Sequence, residues 1–137
     1  MKFMKSMLLA VAIGAATAGA QISVIVNKAV DTPSLTTAKV ASIYSMDMRS
    51  WPNGDRIVVF DSKNDGVKSE FFGALGKSEV EFKKIWMRMQ LSGNGKAPES
   101  LPSDADVVAR VAATPGAIGF VSSGAVSAAV KTVLEIK

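Results

Sequence analysis

The sequence predicts an α/β domain, with a mainly parallel central sheet and helices on both faces. Three observations lead there. Short β-branched runs, Ile22-Ser23-Val24-Ile25-Val26, Ile57-Val58-Val59-Phe60 and Ala117-Ile118-Gly119-Phe120-Val121, alternate with longer stretches of helical period. The chain has 137 residues, 48% of them hydrophobic, which suits one domain with a packed core. No internal repeat, low-complexity segment or interior linker divides it.

Residues 1–20 read as a secretory signal peptide. Lys2 and Lys5 form a positive start, Met7 to Ala16 is an uncharged apolar run, and Ala18-Gly19-Ala20 is a small-residue cleavage site. The expected product is a single domain, 21–137, in the periplasm. Without Lys2 and Lys5 the remaining 117 residues carry 14 basic and 12 acidic side chains, a net +2. So small an excess gives no reason to expect a nucleic-acid partner. The chain contains neither Cys nor His, so disulfides, Cys/His zinc sites, Cys nucleophiles and His general bases are all excluded.

The elements follow in order. Ile22–Val26 is a buried strand. Pro33 breaks the next loop, and Ser34 or Thr36 caps a helix running to about Tyr44. Trp51-Pro52-Asn53-Gly54 makes a turn before the strand Ile57–Phe60. Asp61 to Gly66 reads as a polar loop leading to a helix from Val67 to Leu75. Gly76 breaks that helix. Ser78 and Glu81 form a capping box for another, which reaches about Gln90 and turns Phe82, Ile85, Trp86 and Met89 to one face. Ser92 to Pro102 reads as a flexible loop. Ser103 caps a helix to Ala113, with Val107, Val108 and Val111 inward. Strands Ala117–Val121 and Thr132–Ile136 close the domain.

Catalytic motifs are missing. Gly76-Lys77-Ser78 resembles the end of a P-loop, but Phe71 stands where the first glycine belongs. Gly93-x-Gly95 lacks the third glycine of a dinucleotide fingerprint. No Ser-x-x-Lys or Gly-x-Ser-x-Gly occurs. Asp104 and Asp106 are placed as first-turn acids favoured by a helix dipole. An enzyme is not expected, and no cofactor or metal is implied. The stretch Asp61 to Ser69 is different, because a buried strand there runs into a Gly-containing loop and a helix start. Backbone N–H groups at such a junction bind oxyanions, and ligands of open α/β sheets sit at strand carboxyl ends. Ser62, Lys63, Asp65, Gly66, Lys68 and Ser69 are the candidate ligand-binding residues.

The ordered motifs Val24-Ile25-Val26-Asn27-Lys28, Ser34-Leu35-Thr36, Ile43-Tyr44 and Trp51-Pro52-Asn53-Gly54 resemble the phosphate-type periplasmic solute-binding proteins. The resemblance continues through Ile57-Val58-Val59, Phe71-Phe72, Trp86, Ser92-Gly93-Asn94-Gly95, Val107 to Val111 and Pro115-Gly116-Ala117-Ile118-Gly119-Phe120-Val121. It implies one lobe of a type II periplasmic binding protein, whose full-length members close two lobes on an oxyanion and deliver it to an ABC transporter. It also implies an Arg and a Ser-Gly-Thr at the helix start. Here Ser62 or Lys63 falls at the Arg, and Gly66-Val67-Lys68 falls at the Ser-Gly-Thr. Lys offers a point charge without the planar fork of Arg, so phosphate or a similar oxyanion is expected to bind weakly. The alternative is an envelope structural or interaction protein built on the same lobe, with an envelope partner or a second copy of itself as its contact.

Overall fold

The computed structural model describes residues 21–137; the expected signal peptide, residues 1–20, lies outside them. The first strand, β1, spans Ile22–Asn27, and all six of its residues are buried. β-Branched side chains suit a strand covered on both faces. β1 pairs antiparallel with β4 (Ala117–Ser122) on one side, from Ile22↔Ser122 to Val26↔Ile118, and antiparallel with β5 (Val130–Ile136) on the other. β2 (Val58–Ser62) lies parallel to β4 and to the three-residue β3, Glu99–Leu101. The order is β3-β2-β4-β1-β5. Four of the five strands therefore share one direction, as expected of a mainly parallel sheet, and β1 opposes them.

This order forces an unusual return from β4 to β5. β4 ends beside Ile22, whereas β5 begins beside Asn27, so the chain must travel back along the whole length of β1. Residues 123–129 do this, beginning with a short 3-10 turn at Ser123–Ala125. They pass over one face, where Ala125 and Val126 pack on the core. β5 carries a bulge: Val24 faces Leu134 and Ile25 faces Thr132, leaving Val133 between them. The Val133 carbonyl accepts from Leu35 N at 2.8 Å.

Helices cover both faces. On one lie α1 (Thr37–Tyr44), α2 (Asp65–Ala74) and α3 (Glu79–Leu91); on the other lies α4 (Asp104–Ala113). Period-2 alternation in β1 sends Val24 and Val26 to the first core and Ile25 to the second. The first core is aromatic: Phe71 stacks on Phe120 at 3.9 Å between centroids, with Tyr44 edge-on to both. Tyr44 also solves a backbone problem. The β2–β4 register ends at Val59↔Ile118, and the next carbonyl, that of Phe60, accepts from Tyr44 Oη at 2.7 Å. Trp86 Nε1 in turn donates to the Tyr44 carbonyl at 2.7 Å. In the second core Val107, Val108 and Val111 of α4 are buried, and Gly119 of β4 leaves room for Val107 and Val111. The capping box of α3 forms as expected, as do the Thr36 and Ser103 caps of α1 and α4.

Two expectations change. The loop 92–102 contains β3, whose pairing with β2 is non-local and whose flanking prolines, Pro98 and Pro102, hide it in the sequence. The polar loop Asp61–Gly66 shrinks to Lys63 and Asn64, because Asp61 and Ser62 extend β2 and Asp65 opens α2. Among the described residues no helix is long and apolar enough to cross a membrane.

Gly54 and Gly116 both have positive φ, at 96° and 82°. A Cβ at Gly54 meets nothing, whereas one at Gly116 would collide with the Arg56 carbonyl oxygen, where Trp51 Nε1 also lies close. Gly54→Ala should therefore cost about 1–2 kcal/mol through φ alone. Gly116→Ala should cost at least about 2 kcal/mol more from the forced shift, read as the difference between their urea midpoints at equal slope.

Candidate functional site

The candidate site is built where β2 gives way to α2. Asn64 is the N-cap of α2, with extended φ and ψ, yet its side chain makes no cap hydrogen bond. The first helical bond runs from Lys68 N to the Asn64 carbonyl, at 2.9 Å. The N–H groups of Asp65, Gly66 and Val67 have no acceptor among the described residues, as expected for the first turn of a helix. They point out at the carboxyl end of β2, and the helix dipole adds a partial positive charge. Gly66 offers an unobstructed approach: a Cβ there would meet only Asn64 Oδ1, at 3.9 Å.

Ser62 is fully buried, and its Oγ accepts from Asn64 N at 3.1 Å. The bond shapes the two-residue loop and uses one of the hydroxyl's lone pairs. Lys63 N donates to the Leu101 carbonyl, and its side chain is exposed. Asp65 is exposed in the first turn, and Ser69 is exposed one turn further along. Ser62, Lys63, Asp65 and Gly66 thus gather at the junction, while Ser69 stands behind it.

Lys68 takes another direction. It is 6% exposed, and its ammonium sits 2.9 Å from Glu79 Oε2 and 3.7 Å from Asp61 Oδ2. Burial opposes its charge, but the hydrogen bond to Glu79 and the charges of Asp61 and Glu79 outweigh this and raise its pKa above the ordinary 10.5. Hydrogen bonds from Lys68 and then Lys83, with both their charges, hold the Glu79 carboxyl below its usual range. Asp61 is 2% exposed; Oδ1 accepts from Ser62 N and Oδ2 from Ser100 Oγ, each at 2.8 Å. One network therefore ties α2, α3, β2 and β3 together beneath the site. The Lys68 ammonium, expected from the sequence to face an anion, faces two carboxylates instead. Burial, then the Asp61 charge, pushes the nearby Tyr44 hydroxyl well above its usual pKa, so it stays a donor.

Sequence reasoning missed Asn64, Asp104 and Ser122. Asp104 Oδ2 accepts from Ser122 N at 3.1 Å and Ser122 Oγ at 2.5 Å, and Oδ1 accepts from Asn64 Nδ2 at 3.3 Å. A carboxylate of α4 thus bridges the ends of β2 and β4. The only sequence signal was an acid in a first helical turn, and its partners depend on strand order. Asp65 and Asp104 thus place two carboxylates at the junction, beside the exposed side chain of Lys63. No group of three or more Asp or Glu side chains among the described residues could hold a metal ion.

No family model matches the sequence, and no curated protein matches it. Solved structures share its fold. A candidate phosphate ABC transporter substrate-binding protein from Clostridium perfringens, solved with bound phosphate, superposes with a TM-score of 0.69 at 19% identity, over 83% of this chain and 44% of that one. An ABC-type phosphate transport receptor from Vibrio cholerae superposes with a TM-score of 0.58 at 18% identity, over 83% and 45%. The likeness is one of fold, and the chain spans less than half the length of either protein. It is the mixed α/β fold of one lobe of a periplasmic binding protein, and these neighbours are transport binding proteins rather than enzymes.

The Lys68 network should respond to mutation and to pH. Lys68→Met leaves Asp61 buried with only its hydrogen bonds and should cost about 3 kcal/mol in urea unfolding at neutral pH. Adding Asp61→Asn should recover part of that loss. The depressed Glu79 pKa contributes stability above the unfolded carboxylate value of about 4.3 and loses it as pH falls through the folded value. The raised Lys68 pKa contributes fully below about 10.4 and loses it as pH rises through its folded value. The gap between the protein and Lys68→Met should therefore narrow at both extremes.

Proposed function

We propose that the chain is an exported, periplasmic solute-binding-like lobe that holds phosphate or a similar small oxyanion weakly and works with an ABC transporter. Of the six expected residues, the reading places the anion beside Ser62, Lys63, Asp65 and Gly66, with Ser69 behind them and Lys68 beneath. The carrying observation is the uncapped start of α2, with the Asp65, Gly66 and Val67 N–H groups open at the carboxyl end of β2. In this reading Lys63 supplies charge, and Lys68 acts from beneath by fixing the loop through Asp61 and Glu79. The shared fold with proteins of phosphate transport supports it, as do the signal-like residues 1–20 and the want of a nucleophile–base pair.

Backbone amide NMR during a phosphate titration at constant ionic strength tests it. Shifts should concentrate at Asp65 to Ser69 and saturate in the millimolar range. Asp65→Asn should tighten binding about twofold to fivefold by removing a competing charge at the helix start. Amides from Gly66 to Ser69 that stay still at millimolar phosphate would overturn the reading.

One observation favours the second reading, an interaction protein of the envelope. Val80, Met87 and Leu91 are 60%, 60% and 82% exposed, and their spacing puts them on one side of α3, away from buried Phe82 and Trp86. Met87→Lys with Leu91→Lys should then abolish crosslinking to a partner without lowering stability. Unchanged crosslinking would remove this surface from consideration.

A further inference from the structure

At the other end of β2, away from the α2 start, lies a groove of about 830 Å³. It exists because β3 pairs with β2 only over Phe60–Ser62. Ahead of that pairing, the loop 93–98 stands off from Ile57–Val59. Met46, Met48 and Val59 supply apolar lining. Gly95 seats the loop, since a Cβ there would press on Met46 Sδ and Arg49 Nη2, each at 3.3 Å.

The charge around this groove is one-sided. Arg49, Arg56, Lys96 and Arg110 line it against one carboxylate, Glu99. Glu99 is engaged by Arg110, in a two-pronged pair at 2.7 and 3.1 Å. Among the described residues, no carboxylate lies within ion-pair distance of Arg49, Arg56 or Lys96. The neighbouring acids are occupied locally: Asp47 accepts from Ser45 Oγ and Asp55 from Asn53 Nδ2.

We propose that this groove binds a small amphiphilic organic anion, a carboxylate or sulfonate with an apolar body. The head group meets Arg49, Arg56 and Lys96, and the body lies on Met46, Met48 and Val59. The volume is that of a small-ligand site, and methionine side chains adapt to varied apolar shapes. An added peptide strand fits less well, because the outer edge of β2 is largely taken. Ile57 N donates to the Arg49 carbonyl at 2.9 Å, and β3 covers the edge from Phe60 onward. The site is separate from the helix start, at the far end of a five-residue strand about 16 Å long, and does not depend on oxyanion binding there.

Two probes of similar shape and different charge test the proposal on the full protein: anilinonaphthalene sulfonate and uncharged phenylnaphthylamine. The sulfonate should bind saturably at one site and shift the amides of Met46–Arg49, Ile57–Val59 and Gly93–Lys96. The double variant Arg56→Gln, Lys96→Gln changes only exposed side chains and should weaken the sulfonate about fivefold or more while leaving the uncharged probe unaffected. Equal sulfonate affinity in the double variant overturns the proposal. Amide shifts centred on Val80–Leu91 of α3, or no saturable binding, overturn it too.

Discussion

The structure depends on the complete burial of β1. A six-residue strand without one exposed position must be covered on both faces and paired on both edges. Its partners come from the far end of the sequence, β4 and β5, so the chain cannot close its sheet until the last elements are in place. The two cores follow from the same constraint, since alternate β1 side chains feed one and then the other. An inserted antiparallel strand also separates β4 from β5 and compels the long return across the α4 face.

Burial along β1 leaves the strand ends as the open parts of the sheet. At the carboxyl end of β2, the buried Asp61 and Lys68 are satisfied by each other, by Glu79 and by Ser100, so four elements are locked under the loop. That arrangement fixes backbone N–H groups in space, which suits a preformed anion site. It also withdraws the Lys68 ammonium from the helix start and leaves Lys63, Asp65 and Asp104 at the junction. Open backbone donors and carboxylates thus stand side by side there. The opposite end of β2 shows the reverse balance: Arg49, Arg56 and Lys96, with no carboxylate in ion-pair distance among the described residues, stand above an apolar floor.

The aromatic core and the hydrogen bonds of Tyr44, Trp51 and Trp86 to backbone carbonyls serve the scaffold. They hold α1, α3 and the turn before β2 in register with the sheet.

The sequence by itself determined what is local. β-Branched runs marked β1, β2 and β4, helix caps marked α1, α3 and α4, and Phe82 and Trp86 declared the buried face of α3, because period and capping act within a few residues. The junction after β2 was legible for the same reason: a strand, a Gly-containing break and a helix lie next to one another. Tertiary structure decided whatever needed strand order. β3 is too short to announce itself and exists only by pairing with β2. Lys68 could not be assigned to Asp61 and Glu79, nor Asp104 to Ser122 and Asn64, until the sheet had placed those elements side by side. Side-chain charge acts through space, and the sequence alone does not record which charges the fold brings within reach of one another.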